Sequence, residues 1–117
     1  MKLLQTMCSI QAPSGNEVAM TKFLLNYIHK NKHTWKVQPK IFSGYGFQDC
    51  ILLVFGKPKT AIFAHMDSIG FTVRYGKQLV KVGGPRTLNG YELVGNDSKG
   101  EITCKLKVSK QGELTYV

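Results

Sequence analysis

The sequence predicts an α/β segment over residues 1–69 followed by an all-β segment over residues 70–117. Three observations carry that division. Before Lys32 the apolar positions recur at helical spacing on either side of a Pro/Gly turn. Residues 50–55 and 60–64 are nearly continuous apolar runs, the pattern of strands covered on both faces in an α/β layer. Beyond Gly70 the runs give way to short alternating segments, separated by turn residues at roughly 8–12-residue spacing.

Leu3, Leu4, Met7, Cys8 and Ile10 form a loosely helical stripe, which Pro13 and Gly15 interrupt in Ala12-Pro13-Ser14-Gly15. Ser14 followed by Glu17 reads as a capping box, in which the serine accepts from a first-turn amide and the glutamate reaches back. A second helix is then expected to about Lys30, with Val18, Thr21, Leu24, Leu25 and Ile28 facing inward. Trp35, Val37, Pro39 and Ile41 alternate with Lys36, Gln38 and Lys40, which predicts a half-exposed strand. Pro39 lacks an N–H, so it confines that strand to an edge or marks its end. Ser43-Gly44-Tyr45-Gly46 reads as a loop, and Gly56-Lys57-Pro58-Lys59 as a hairpin turn joining the two apolar runs. Further β segments are expected at residues 71–75, 78–82, 91–94, 101–108 and 114–117. Gly76-Lys77, Gly83-Gly84-Pro85, Asn96-Asp97 and Gln111-Gly112 punctuate them, the pattern of a small barrel or sandwich. The last segment has no closing helix after it, so the β part is expected to be incomplete.

Hydrophobic residues make up 43% and charged residues 20%, a globular composition. Sixteen Lys/Arg against seven Asp/Glu give +9, which suits an anionic partner. The excess is dispersed, without a basic block or tail, so nucleic acid is not expected as the partner. Cys8, Cys50 and Cys104 are odd in number, far apart and without Cys-x-x-Cys spacing. That argues against a disulfide framework or a structural zinc site and for reduced thiols in a cytoplasmic protein. No run of about 18 apolar residues spans a membrane, and Met1-Lys2-Leu3-Leu4 is too short and mixed for a signal peptide.

The richest stretch for chemistry is Ala64-His65-Met66-Asp67-Ser68-Ile69-Gly70-Phe71. The apolar run at residues 60–64 is expected to be a strand that delivers His65 and Asp67 where it ends, and alternation points both side chains to one side. One imidazole nitrogen can then bind a metal while the carboxylate orients the ring through the other. The competing reading is a His–Asp hydrogen bond that merely closes a strand end. Other candidates are weaker. His29 and His33 have i, i+4 spacing but lie among Lys30, Asn31 and Lys32 at a helix end, a solvated setting. Gly44-Tyr45-Gly46 lacks the third glycine of a dinucleotide loop. Lys105, Lys107 and Lys110 read as a solvated strand face, with a nucleic-acid stripe as the alternative.

Residues 64–73 resemble the His-Met-Asp-x-Ile-Gly-Phe-x-Val signature of the cocatalytic zinc aminopeptidases of the glutamyl-aminopeptidase and deblocking-aminopeptidase type. Pro13-Ser14-Gly15 with Glu17 resembles that family's Pro-Ser-Gly-x-Glu segment, and Gly83-Gly84 resembles the start of its inserted β-domain. The three matches occur in the family's order and span most of the chain. The resemblance implies the N-terminal part of a zinc-peptidase-like α/β/α domain, followed by part of an inserted β-barrel domain through which copies assemble as a homo-oligomer. It implies His65 as a ligand of one metal in a two-zinc site, with cobalt or manganese as substitutes, and Asp67 as the catalytic residue supporting that ligand. Peptides are the implied substrates. The family's bridging Asp, Glu-Glu pair and second His follow the insert and are expected beyond residue 117. Asp97, in Gly95-Asn96-Asp97-Ser98, reads instead as part of a β-turn. Gln48-Asp49-Cys50 departs from the family's Asp-x-x-Gly-Asn segment, which leaves subgroup and peptide preference open. Two other function classes remain on residues alone: a basic β-rich binding module for nucleic acid or another anionic partner, and a metal-free structural relative.

Overall fold

Two helices flank the Pro/Gly turn near the N-terminus, α1 (Lys2–Ser9) and α2 (Val18–Asn31), in a computed structural model that describes residues 2–117. Seven strands follow: β1 (Lys40–Gly44), β2 (Gln48–Val54), β3 (Gly70–Val73), β4 (Leu79–Val82), β5 (Glu92–Asp97), β6 (Gly100–Val108) and β7 (Leu114–Tyr116). All strand ladders are antiparallel, in sheets ordered β1-β2, β3-β4 and β5-β6-β7. The content is therefore mixed helix and sheet, in two units that divide between Ser68 and Ile69.

In the first unit α1 buries none of its apolar stripe, whereas α2 buries Met20, Thr21 and Ile28. Val18, expected inward, is exposed. The capping box does not form. The helix begins after Glu17, whose side chain accepts instead from the Gly15 amide at 2.7 Å, and Ser14 makes no cap. The Thr21 hydroxyl donates to the Asp49 carbonyl at 2.7 Å, tying α2 to β2 through a buried side chain.

Two strand expectations here are overturned. Residues 35–37 form bends after a 3₁₀ turn at Lys32–Thr34, and the strand starts only at Lys40, just past Pro39. The expected hairpin between residues 50–55 and 60–64 is replaced by one between β1 and β2, which turns at residues 45–47. Since β2 takes β1 as its partner, residues 60–64 join no ladder and carry no strand. Ile62 and Phe63 are 93% and 91% exposed.

The second unit follows its sequence pattern in the order of its strands, because its signals are local, although β5 runs through Asn96-Asp97, expected as a break, to a turn at residues 98–99. β3 and β4 pair from Gly70↔Val82 to Val73↔Leu79 around a 3₁₀ turn at Tyr75–Lys77. Gly76 and Lys77 have φ of 65° and 62°, and the glycine takes that conformation without cost to a Cβ. β6 lies between β5 and β7, and a single bridge from Gln78 to Thr115 links the two sheets. Leu79, Leu106 and Leu114 are the buried centre, with Phe71, Leu93, Val108 and Tyr116 packed around it.

Candidate functional site

The site is assembled by a short clamp within the first unit. The Ser68 amide donates to the Ala12 carbonyl at 2.7 Å, and the Ala12 amide donates to the Ser68 hydroxyl at 3.2 Å. Ala12 is fully buried, so this pairing holds the chain on both sides of it. Immediately after Ala12, residues 13–16 make a tight turn closed by a 2.8 Å bond from the Asn16 amide to the Pro13 carbonyl. Gly15 sits third in that turn with φ 87°, the left-handed conformation a type II turn requires there. Clamp and turn together set Ser14 against Asp67, the residue preceding Ser68.

His65 and Asp67 do meet, but not by strand alternation, since residues 55–67 carry no strand. The ring folds back on its neighbour instead: His65 Nδ1 lies 3.2 Å from Asp67 Oδ1 and 3.1 Å from the Asp67 carbonyl oxygen. Both partners are acceptors, so Nδ1 carries a proton, and in the neutral ring Nε2 keeps its lone pair. The His65 side chain is 86% exposed and that of Asp67 is 37% exposed, so Nε2 is open to an incoming ligand. The second carboxylate oxygen, Oδ2, accepts a 2.5 Å hydrogen bond from the Ser14 hydroxyl. That bond is the main cause holding the Asp67 carboxyl below its ordinary range. The backbone and the His65 ring add to the effect, while partial desolvation opposes it. Asp67 is consequently an anionic acceptor at neutral pH, the state a ring-orienting carboxylate needs.

Ser14 has the local spacing of a helix cap, yet its partner is Asp67, 53 residues away, a separation that leaves no mark in local spacing. The remaining candidates stay apart from this cluster. His29 and His33 are both exposed, on α2 and the 3₁₀ turn after it. Asp97 Oδ1 accepts from the Lys99 amide at 2.7 Å and so serves the β5–β6 turn. Lys105 and Lys107 are exposed on β6, but Lys105 stands directly opposite Glu92 in the ladder, which interrupts a basic stripe. All three cysteines are free.

Among the described residues no three His, Cys, Asp or Glu side chains converge on a common point. One imidazole backed by a carboxylate therefore supplies a single ligand position. No helix among the described residues is long and apolar enough to cross a membrane. No protein-family model matches the chain, and no curated protein matches it significantly.

Proposed function

We propose that this chain is the N-terminal part of a metal-dependent aminopeptidase of the glutamyl-aminopeptidase type, which removes N-terminal residues from peptides. One observation carries the reading: Asp67 holds His65 at Nδ1 while the ring is 86% exposed, which leaves Nε2, a lone-pair donor in the neutral ring, open. That is the arrangement in which a histidine serves as a metal ligand with a carboxylate behind it. The motif order described above adds the choice of family. The first unit is read as part of a zinc-peptidase-like α/β/α domain, and the second as part of its inserted β-barrel domain, the surface for self-assembly.

In this reading His65 is a ligand of one metal and Asp67 is the catalytic carboxylate that holds the ring and raises its basicity. Zinc suits a site of imidazole and carboxylate donors, and cobalt or manganese suits similar sets. A metal pair of this kind supplies water activation near neutral pH and polarisation of the scissile carbonyl. Catalytic zinc takes about three protein ligands. The proposal therefore draws the other ligands and the general base from residues outside this chain. Within it, Asp67 keeps the imidazole proton on Nδ1, and the Ala12–Ser68 clamp keeps the backbone of Asp67 in place.

The test pairs the 117-residue chain with a complete enzyme, by zinc titration and aminoacyl-p-nitroanilide hydrolysis. The chain alone is expected to hydrolyse nothing and to hold no zinc pair tightly. In the complete enzyme His65→Ala is expected to abolish activity and metal occupancy together. Asp67→Asn is expected to keep part of the metal while losing about 10–100-fold in turnover. Robust hydrolysis by the chain alone, or an unimpaired His65→Ala enzyme, overturns the proposal.

A further inference from the structure

We infer that Ser14 is a positioning residue for the His65–Asp67 pair: its hydroxyl fixes the Asp67 carboxylate so that His65 presents Nε2 outward. The inference gains its catalytic meaning from the aminopeptidase reading, but its physical content is independent of any metal.

The two carboxylate oxygens of Asp67 divide the work. Oδ1 faces His65 Nδ1, and Oδ2 accepts the hydrogen bond from the Ser14 hydroxyl. An aspartate as exposed as this one is free to turn towards water, and a histidine 86% exposed has little packing to orient it. The bond from Ser14 removes that freedom, because Ser14 belongs to a closed turn and the turn follows the Ala12–Ser68 clamp. The restraint thus runs from buried Ala12, through the turn, to a carboxylate and then an imidazole. Its direction also excludes a nucleophilic role for the serine. A nucleophilic serine passes its proton to the histidine, whereas Ser14 donates its hydrogen bond to the carboxylate and not to the ring.

A structural serine that only steadies its own turn would leave the ring of His65 unaffected. The distinguishing measurement is the tautomer of His65 in the metal-free chain, read from imidazole nitrogen chemical shifts. The pH is set near 8, above the ordinary imidazole value of about 6.5. The wild-type chain is expected to hold His65 mainly as the Nδ1–H form, unlike exposed His29 and His33 in the same spectrum. Ser14→Ala is expected to lower the Nδ1–H to Nε2–H ratio at His65 by about threefold, the size of one net hydrogen bond. Ser14→Thr, which keeps a hydroxyl, is expected to restore it. Ser14→Gly fits any turn geometry and should match Ser14→Ala, so a turn disturbed by one variant does not decide the result. An unchanged ratio in both hydroxyl-free variants, or a Thr variant that behaves like them, overturns the inference. The aminopeptidase reading fails separately, through full zinc occupancy of a complete His65→Ala enzyme, and that failure would leave the tautomer result standing.

Discussion

In β6 an apolar alternation pairs with β5 along one edge and β7 along the other, and its Leu106 is 1% exposed. Residues 60–64 are more continuously apolar, yet they join no strand and leave Ile62 and Phe63 almost fully exposed. The difference lies in partners. A strand must hydrogen-bond its backbone to a neighbour, and apolar side chains add stability only once a second layer covers them. The second unit supplies β6 with two neighbours from nearby sequence, through the turn at residues 98–99 and the one before Leu114. The first unit commits β2 to β1 and offers residues 60–64 no ladder.

Substitutions break this comparison in graded ways. Leu106→Ala is expected to have the largest effect, a loss of about 2–5 kcal/mol from a filled centre shared with Leu79 and Leu114. Urea unfolding followed on amide resonances of residues 69–117 measures it. A cost below about 1 kcal/mol would mean that Leu106 is not the packing centre.

In the first unit, Gly15→Ala is expected to cost about 1–2 kcal/mol, because φ of 87° places a Cβ in the left-handed region. Nothing lies within 4 Å of that Cβ, so backbone strain rather than collision sets the magnitude. Trp35 is the only tryptophan and packs on Phe55 with ring centres 6.1 Å apart, so its fluorescence reports denaturation of this unit alone. Full stability after the substitution would show that the turn adopts another geometry.

Ile62→Ala is expected to change stability by no more than about 0.5 kcal/mol, the ordinary range for an exposed position. The same fluorescence assay reads it, and a loss resembling that of Leu106→Ala would place residues 60–64 in a packed strand after all.

The smallest expected effect concerns pH. Asp67 has its folded carboxyl below the unfolded value of about 3.9, so its bonds contribute fully above that value. They are lost as pH falls through the folded value. The difference in melting temperature between wild type and Asp67→Asn should accordingly be constant at neutral pH and shrink below about pH 4. A difference that persists undiminished to pH 2 would show that the Asp67 charge contributes nothing to it.

Legibility in the sequence followed the range of the interactions. The five strands after Gly70 could be read because each is bounded by its own turn residues, such as Gly76-Lys77 and Gln111-Gly112. The second helix could be read from its period, but its start shifted to Val18 because Glu17 and Ser14 found other partners. Proximity in sequence marks His65 and Asp67 as a pair, and they do meet, though a folded-back ring rather than strand alternation brings them together.

By itself, then, the sequence determined what neighbouring residues settle among themselves: the helical period before Asn31, the punctuated strands after Gly70, and two adjacent side chains able to share a proton. Tertiary structure decided which strand pairs with β2, and so whether residues 60–64 have a ladder at all. It also decided that Ser14 caps no helix but grips Asp67 from 53 residues away. The physical reason is common to both outcomes. A hydroxyl or a backbone amide has many acceptors of similar strength within reach of its sequence neighbours, and only the folded arrangement selects one.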